Sequence, residues 1–430
     1  PVKTIYPCLE EVKTFRPIVL VDVRELDGNP GYSELSMLSE NFPQMTFILR
    51  KAMWWQITNV IHIMKKCSNI LADISMFHFR GGIKLFVDQF GEDRLVFGIA
   101  ADSHKRAAEA ALVYADISNE ARKKISSGTI SKLLQESNGD KRLSGSDTHN
   151  NNKGTIWNSF IKKSFNEFDL SIIDAHSHLG PPARGWHVRT TEISRQIDEL
   201  KKDLKKFNIK KMLSCCQLAL YSNSIMGNKI LQNEIIKNGM SGKIDGYFAF
   251  NPIYAGKIDE NLLDSFFKYG NFIGFKILSE YWDVSPKDRR YEQMWDYAHR
   301  YRLPVLIHTW ENTYGEVDTF IDELGKYMNS FILLGHSGGG DKGRLQAEAA
   351  AKRYDNVYLE WCGSFTAERM WEKTVAEIDD SKIVFGTDTF FHEIAWELGR
   401  LVSIDVPDEK KRKILGHNMN MILKKNRIKP

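Results

Sequence analysis

Residues 171–180 read SIIDAHSHLG, an apolar β-branched start followed by Asp174, His176 and His178 at alternate positions. On an extended strand, positions i, i+2 and i+4 share one face, so these three side chains would point the same way. Two neighbouring imidazoles are poor core material and good metal ligands. Placed at the end of an apolar strand, they suit the C-terminal mouth of a parallel barrel, where such folds keep their sites. A lone His-x-His would be equally compatible with two core histidines, so the weight falls on what the later strands carry.

Seven further apolar runs follow: KMLSCC (211–216), DGYFAF (245–250), FIGFKI (272–277), PVLIH (304–308), FILLG (331–335), NVYLEW (356–361) and KIVFGTD (382–388). Helical patterns lie between them, for example YEQMWDYAHRYR (291–302) and TFIDELGKYM (319–328). Eight β/α units of this size predict an α/β fold, a closed (β/α)8 TIM barrel, over 166–430. An open doubly wound sheet is disfavoured because no Gly-rich dinucleotide loop follows the first strand.

Three of these runs end in a further polar residue: His308, His336 and Asp388. Singly, each has an ordinary explanation, and Asp388 would serve as a helix N-cap. Together with His176 and His178 they stand at the ends of the first, fifth, sixth and eighth strands, which converge on one point only in a closed barrel. A divalent metal, most simply Zn²⁺, accepts imidazole and carboxylate ligands and lowers the pKa of bound water to about 7, giving hydroxide near neutral pH. Asp388 could accept a proton from that water, His336 could polarise a carbonyl or shuttle the proton, and Asp174 would orient a ligand histidine. Arg184, His187 and Arg189 after the first strand, with Trp282, Trp310 and Phe390 after later ones, would form a cationic and aromatic rim suited to an anionic, partly planar acid; ordinary surface residues are the competing explanation. Asn251 and Pro252 read as a turn, and the phase of Glu360 on the seventh strand is left open by its apolar neighbours.

With these motifs on the page, the sequence resembles the amidohydrolase superfamily, in particular the branch related to aminocarboxymuconate-semialdehyde decarboxylase. The resemblance covers 170–425 through DAHSHLG, GYFAFNP, GFKI, PVLIHTW, GHSGG, VYLEWCGS, VFGTD and ILGHNMNMIL. It implies His176, His178, His308 and Asp388 as metal ligands, with His336 as the catalytic histidine or a ligand of a second metal. Lys276 in GFKI stands where two-metal relatives carry a carboxylated bridging lysine, or would bind a substrate carboxylate as a cation. The activity expected is a metal-dependent hydrolase using metal-bound hydroxide on a small organic acid, lactone or amide. The alternative is a metal-dependent non-oxidative decarboxylase, and a third reading is a metal-stabilised binding protein without turnover.

Residues 137–155, SNGDKRLSGSDTHNNNKGT, have almost no apolar side chains and read as a linker, with IWNSFIKKSF (156–165) a short amphipathic helix after it. Residues 1–136 repeat the pattern of the barrel's last half in order and spacing. Pro17 with IVLV pairs with Pro304 with VLIH, FIL (47–49) with FIL (331–333), Asn69 with Asn356, and DRLVFG (93–98) with SKIVFG (381–386). In this alignment Ala52 stands for His336, Ala100 for Asp388, and Val21 or Asp22 for His308. None of His62, His78, His104 and His149 falls at a strand end. This region is therefore expected to be a non-catalytic, degenerate half-barrel. Its open sheet edges call for an upstream half-barrel or a second copy of the chain.

The composition fits this outline. The 430 residues are 42% hydrophobic and 27% charged, with 59 Lys and Arg against 55 Asp and Glu. That net charge of +4 is too small to argue for nucleic acid, and no apolar run reaches the roughly 18 residues of a membrane span, so a small-molecule substrate and a cytoplasmic location are expected. Cys8, Cys67, Cys215, Cys216 and Cys362 form no Cys-x-x-Cys pair and read as reduced thiols. The start at Pro1, without a methionine, suggests part of a longer product.

Overall fold

In the computed structural model, the structure describes residues 2–28, 30–99, 106–138, 155–163, 170–181, 190–363 and 369–428. The chain divides into two compact units, the first mainly residues 1–153 and the second mainly 154–397 and 404–430.

The first unit contains four parallel strands in the order β1-β2-β3-β4: β1 (Ile18–Asp22), β2 (Thr46–Arg50), β3 (Ile70–Asp73) and β4 (Leu95–Val96). Ile48, Leu71 and Val96 form a buried cluster on one face, with Ile18, Ile130 and Leu133 packed against it. β1 is an edge strand, and Leu20 at its centre is 58% exposed. His62 lies within the helix Ile57–Lys66, and His104 and His149 lie outside the described residues.

The second unit is the expected barrel. Its eight parallel strands run in sequence order: β5 (Ile172–Leu179), β6 (Ile209–Cys216), β7 (Ile244–Ala249), β8 (Phe272–Ile277), β9 (Pro304–His308), β10 (Phe331–Gly335), β11 (Val357–Trp361) and β12 (Ile383–Phe385). Each coincides with one of the apolar runs. The strands read as nearly continuous apolar segments because both faces are covered, by the lumen on one side and helices on the other. The covering helices carry the matching period: Ile193–Lys206 buries Ile193, Gln196, Ile197, Leu200 and Leu204, one stripe at three- and four-residue spacing. Gln196, the polar member of that stripe, holds the turn after β5 by bonding the Gly180 N–H (2.6 Å) and carbonyl (3.1 Å).

The barrel closes between β5 and the segment after β12. Ser177 bridges Thr389 in parallel register, and the Asp388 and Phe390 N–H groups donate to the carbonyls of His176 (2.8 Å) and His178 (3.2 Å). Asp174 fastens the same seam. Its Oδ1 accepts the N–H groups of His176 and Thr387, both at 3.0 Å, and its Oδ2 accepts the Thr387 hydroxyl at 2.5 Å. The expectation that Asp174 orients a ligand imidazole is therefore corrected: its bonds go to the His176 and Thr387 backbone and to the Thr387 hydroxyl, none of them to an imidazole ring.

Among the described residues, no helix is long and apolar enough to cross a membrane. The segment after the linker forms a short helix, Ile156–Ile161, capped by the Thr155 hydroxyl.

Candidate metal centre

The polar side chains at the strand ends meet inside the barrel mouth. His176 and His178 project from β5, Lys276 from β8, and His308 closes β9. His336 immediately follows β10 in a left-handed conformation (φ 62°), and Asp388 follows β12 at φ 55°. The Asp388 Oδ1 lies 2.9 Å from His178 Nε2 and 3.7 Å from His176 Nε2. Lys276 Nζ is 2.9 Å from the same His176 nitrogen, and His336 Nε2 is 3.1 Å from His308 Nδ1.

Each of these four imidazoles is held from behind through its other nitrogen. His176 Nδ1 pairs with Glu360 Oε2 (2.9 Å), His178 Nδ1 with Cys215 Sγ (3.1 Å), and His308 Nε2 with Glu280 Oε2 (3.0 Å). His336 Nδ1 pairs with the Cys362 carbonyl at 3.0 Å. A carbonyl oxygen can only accept, so His336 carries its proton on Nδ1 and turns the Nε2 lone pair to the centre. Gly363 is required beside it: at φ 61° a side chain is strained, and a Cβ there would lie 2.8 Å from His336 Nδ1.

Burial lowers the basicity of these rings. The pKa of His176 falls well below the usual histidine value through burial and the nearby Lys276 charge, and that of His336 does so through burial and His308. Burial pushes the Asp388 carboxyl up, yet the bond from His178 and its place beside His176, His178 and His392 hold it well below the usual carboxylate range. Burial lowers Lys276 and pushes Glu360 up to about 8 and Asp174 up to about 7. Neutral imidazoles beside an ionised carboxylate are the protonation states a metal requires.

The donor atoms of His176, His178 and Asp388 lie within 4.8 Å of one another on buried residues, a set of nitrogen and oxygen ligands that fits a divalent cation. A second group, His176, His336, Glu360 and Cys362, meets the same distance limit. It draws on the Nδ1 atoms that already bond Glu360 and the Cys362 carbonyl, so the inward-facing set is the better holder. His308 is not in either group; its Nδ1 meets His336 instead.

The remaining rim candidates separate. Trp310 stacks on His308 (6.3 Å between centroids, 14°), with Tyr281 edge-on to the same ring at 5.4 Å. Trp282 follows β8, with its indole N–H donated to the Leu220 carbonyl at 2.7 Å. Phe390 is buried rather than at the rim, and Phe391 packs at 4.9 Å from His178. Asn251 caps a turn through the Ile253 N–H, as expected. Arg184, His187 and Arg189 lie outside the described residues.

Glu360 stood in the sequence as a possible pocket residue of open phase, and the other participants gave no signal or were passed over. Glu360 sits in a strand buried at every position, so alternation gives it no phase. Cys215 and Cys362 look like ordinary core thiols, and Glu280 lies in a one-turn helix without a distinctive pattern. His392, paired with Glu397 at 2.7 Å, places its Nε2 3.9 Å from Asp388 Oδ2. Its place in TFFHE, four residues after Asp388, was the available signal.

The family described as Amidohydrolase matches residues 247–418. No curated protein matches the chain. Among solved structures, 2,6-dihydroxybenzoate decarboxylase from Rhizobium is 14% identical, covering 59% of this chain and 99% of that one, with a TM-score of 0.45. The 5-carboxyvanillate decarboxylase from Novosphingobium aromaticivorans, complexed with manganese and 4-hydroxy-3-methoxy-5-nitrobenzoic acid, is 12% identical over 60% of this chain and 96% of that one, TM-score 0.42. A 4-oxalomesaconate hydratase from Rhodopseudomonas palustris is 11% identical over 59% and 96%, TM-score 0.41.

Proposed function

We propose that this amidohydrolase-family barrel is a metal-dependent enzyme acting on a small carboxylic acid, and that its reaction is non-oxidative decarboxylation. The observation that carries the substrate class is Lys276. It is fully buried, its Nζ bonds His176, and it forms no ion pair among the described residues. A buried ammonium with no carboxylate in direct contact is costly even with Asp388 in the same centre, and an entering carboxylate would pair with it directly.

His176, His178 and Asp388 would hold the divalent metal, with His308 completing the set through the Nδ1 that faces inward. Zn²⁺ suits the nitrogen and oxygen donors, and the manganese in one of the similar structures makes Mn²⁺ the other metal to assay. When bound, the cation would supply Lewis acidity towards a substrate oxygen. Lys276 would bind the substrate carboxylate and orient the carbon–carbon bond that breaks. Trp310 and Tyr281 offer flat surfaces beside His308 for a planar substrate. The proton that replaces the lost CO₂ on carbon would come through His336 Nε2, whose Nδ1 proton is fixed on the Cys362 carbonyl. Atoms balance as carboxylate plus proton giving the shortened product plus CO₂.

Hydrolysis of a lactone or amide is the second reading, favoured by the proximity of Asp388 and His336 to the same metal position. Incubating metal-loaded protein with small aromatic and unsaturated carboxylic acids, while following CO₂ release and ring or ester opening in parallel, tests both. Release of CO₂ that ceases on chelation is the expected result. Opening of a lactone without CO₂ would establish hydrolysis, and ligand binding without turnover would place the barrel among binding proteins.

Residues 1–136 we read as a non-catalytic half-barrel repeat joined through 137–165 to the barrel of 166–430. Several local matches support this. Asn69 Nδ2 donates to the carbonyls of Phe42 and Met45, both at 3.2 Å or less, as Asn356 Nδ2 does to those of Tyr327 and Ser330. A π-turn, Lys124–Gly128, follows the helix Asn119–Lys123, as Lys413–His417 follows Asp408–Arg412. Lys51 is the residue next after β2 and shares with His336 the left-handed φ (58° and 62°), which favours pairing Lys51 rather than Ala52 with His336. Asp22 closes β1 where His308 closes β9, so no imidazole stands at either position.

A further inference from the structure

We propose that Glu360 is the positioning residue of the metal centre: a single carboxylate oxygen fixes the tautomer and ring orientation of His176, and the length of the side chain is what allows it. The proposal rests on the metal-centre reading above and adds to it a group that touches neither metal nor substrate.

Glu360 Oε2 accepts from His176 Nδ1 (2.9 Å), from the His336 backbone N–H (3.1 Å) and from the Cys362 thiol (3.4 Å). One atom therefore ties β5, the turn after β10 and β11 together. The other oxygen, Oε1, has no hydrogen-bond partner. It lies against Gly386, where a Cβ would come within 2.2 Å of it and 2.6 Å of His176 Cβ. The carboxylate is thus wedged, and a proton on His176 Nδ1 directed at Oε2 leaves the Nε2 lone pair facing Asp388.

The first unit contains a natural control. Asp73 on β3 accepts the backbone N–H of Lys51 through Oδ1 at 3.3 Å, and Lys51 is the left-handed residue after β2. A glycine flanks this carboxylate too: a Cβ on Gly98 would lie 2.5 Å from Asp73 Oδ2. Here the carboxylate takes its other bonds from the Ser75 N–H (3.1 Å) and hydroxyl (2.6 Å), with Arg50 Nε 3.9 Å from Oδ2, and meets no imidazole. Anchoring a left-handed N–H across adjacent strands therefore needs only the aspartate length. The additional methylene of Glu360 carries the oxygen to His176, so the two roles can be separated by side-chain length.

The test uses the full chain and compares wild type with Glu360→Asp and Glu360→Gln, reading Zn²⁺ and Mn²⁺ affinity by competition with a chromophoric chelator and the unfolding midpoint of metal-free protein. Glu360→Asp should keep the midpoint near that of wild type and weaken metal binding about 10- to 100-fold, the usual cost of removing a carboxylate behind a ligand histidine. Glu360→Gln retains an oxygen at the Oε2 position and should bind metal more tightly than Glu360→Asp. Equal metal affinity in Glu360→Asp and wild type would overturn the proposal, as would a glutamine variant no better than the aspartate one. Should Glu360→Asp fail to fold, ¹⁵N NMR of the histidine rings in metal-free wild type decides: a proton on His176 Nδ1 supports the assignment, and one on Nε2 refutes it. Failure of wild type to bind metal would instead reject the metal centre itself.

Discussion

Lys276 places an ammonium group at the bottom of the barrel mouth, fully buried, with a histidine nitrogen rather than a carboxylate as its hydrogen-bond partner. Lys276→Met keeps the bulk and removes the charge. If the side chain binds a substrate carboxylate, this variant should keep its metal and lose at least about 100-fold in kcat/KM, a transition-state loss near 3 kcal/mol; a fall in metal content would instead assign Lys276 to metal bridging. Asp174 gives a second expectation. Burial pushes its carboxyl up to about 7, against about 3.9 in an unfolded chain, so between those values the folded state holds a proton that the unfolded state has released. Its contribution to stability is therefore complete below about pH 4 and declines as pH rises through 7. Thermal unfolding of metal-free protein at pH 5 and pH 8 should show a smaller loss at high pH in Asp174→Asn than in wild type. At this scale the sequence exposed the inward-facing groups, because His176, His178, His308, His336 and Asp388 each interrupt or end an apolar run. It concealed the groups behind them. Glu360 and Cys362 lie where every neighbour is buried, so no alternation distinguishes a residue that supports an imidazole from one that packs.

At the scale of elements, the strands were legible because each is a short β-branched run between amphipathic stretches, and Ile172–Leu179 through Ile383–Phe385 fall where those runs do. Strand-end geometry was not. The left-handed backbone at His336 and Asp388 follows from turns whose shape depends on groups distant in sequence, among them the carboxylates of Glu360 and Asp174. Two substitutions test how much these turns matter. Gly363→Ala brings a Cβ into contact with His336 Nδ1 at a positive φ, and turnover should fall at least about 10-fold with metal content unchanged. Thr387→Val removes the hydroxyl that Asp174 Oδ2 accepts at the closing seam and should cost about 1–3 kcal/mol in denaturant unfolding. An unchanged midpoint there would mean that the seam is held by its backbone bonds alone.

Across the whole molecule, chemistry concentrates in one unit. In the first unit the strand ends carry Asp22, Lys51 and Asp73, with Lys51 Nζ 3.9 Å from Asp22 Oδ2 and Arg50 Nε 3.9 Å from Asp73 Oδ2. These charges answer one another, whereas His176, His178, His308, His336 and Asp388 of the barrel meet at its mouth. The thiols follow the same division between surface and interior: Cys8 is exposed and Cys67, Cys215, Cys216 and Cys362 are buried, with Cys215 pushed up to about 12 by burial. A thiol reagent at pH 8 should therefore modify one cysteine rapidly in folded protein and the others only on unfolding. The central claim is that a divalent metal is held by the inward-facing residues of the barrel and by nothing in residues 1–136. Elemental analysis of purified wild type beside His176→Ala and Asp22→Asn measures it most directly. About one transition metal per chain, lost with His176→Ala and retained with Asp22→Asn, is the predicted result; metal that survives the removal of His176 or disappears with Asp22 would contradict it.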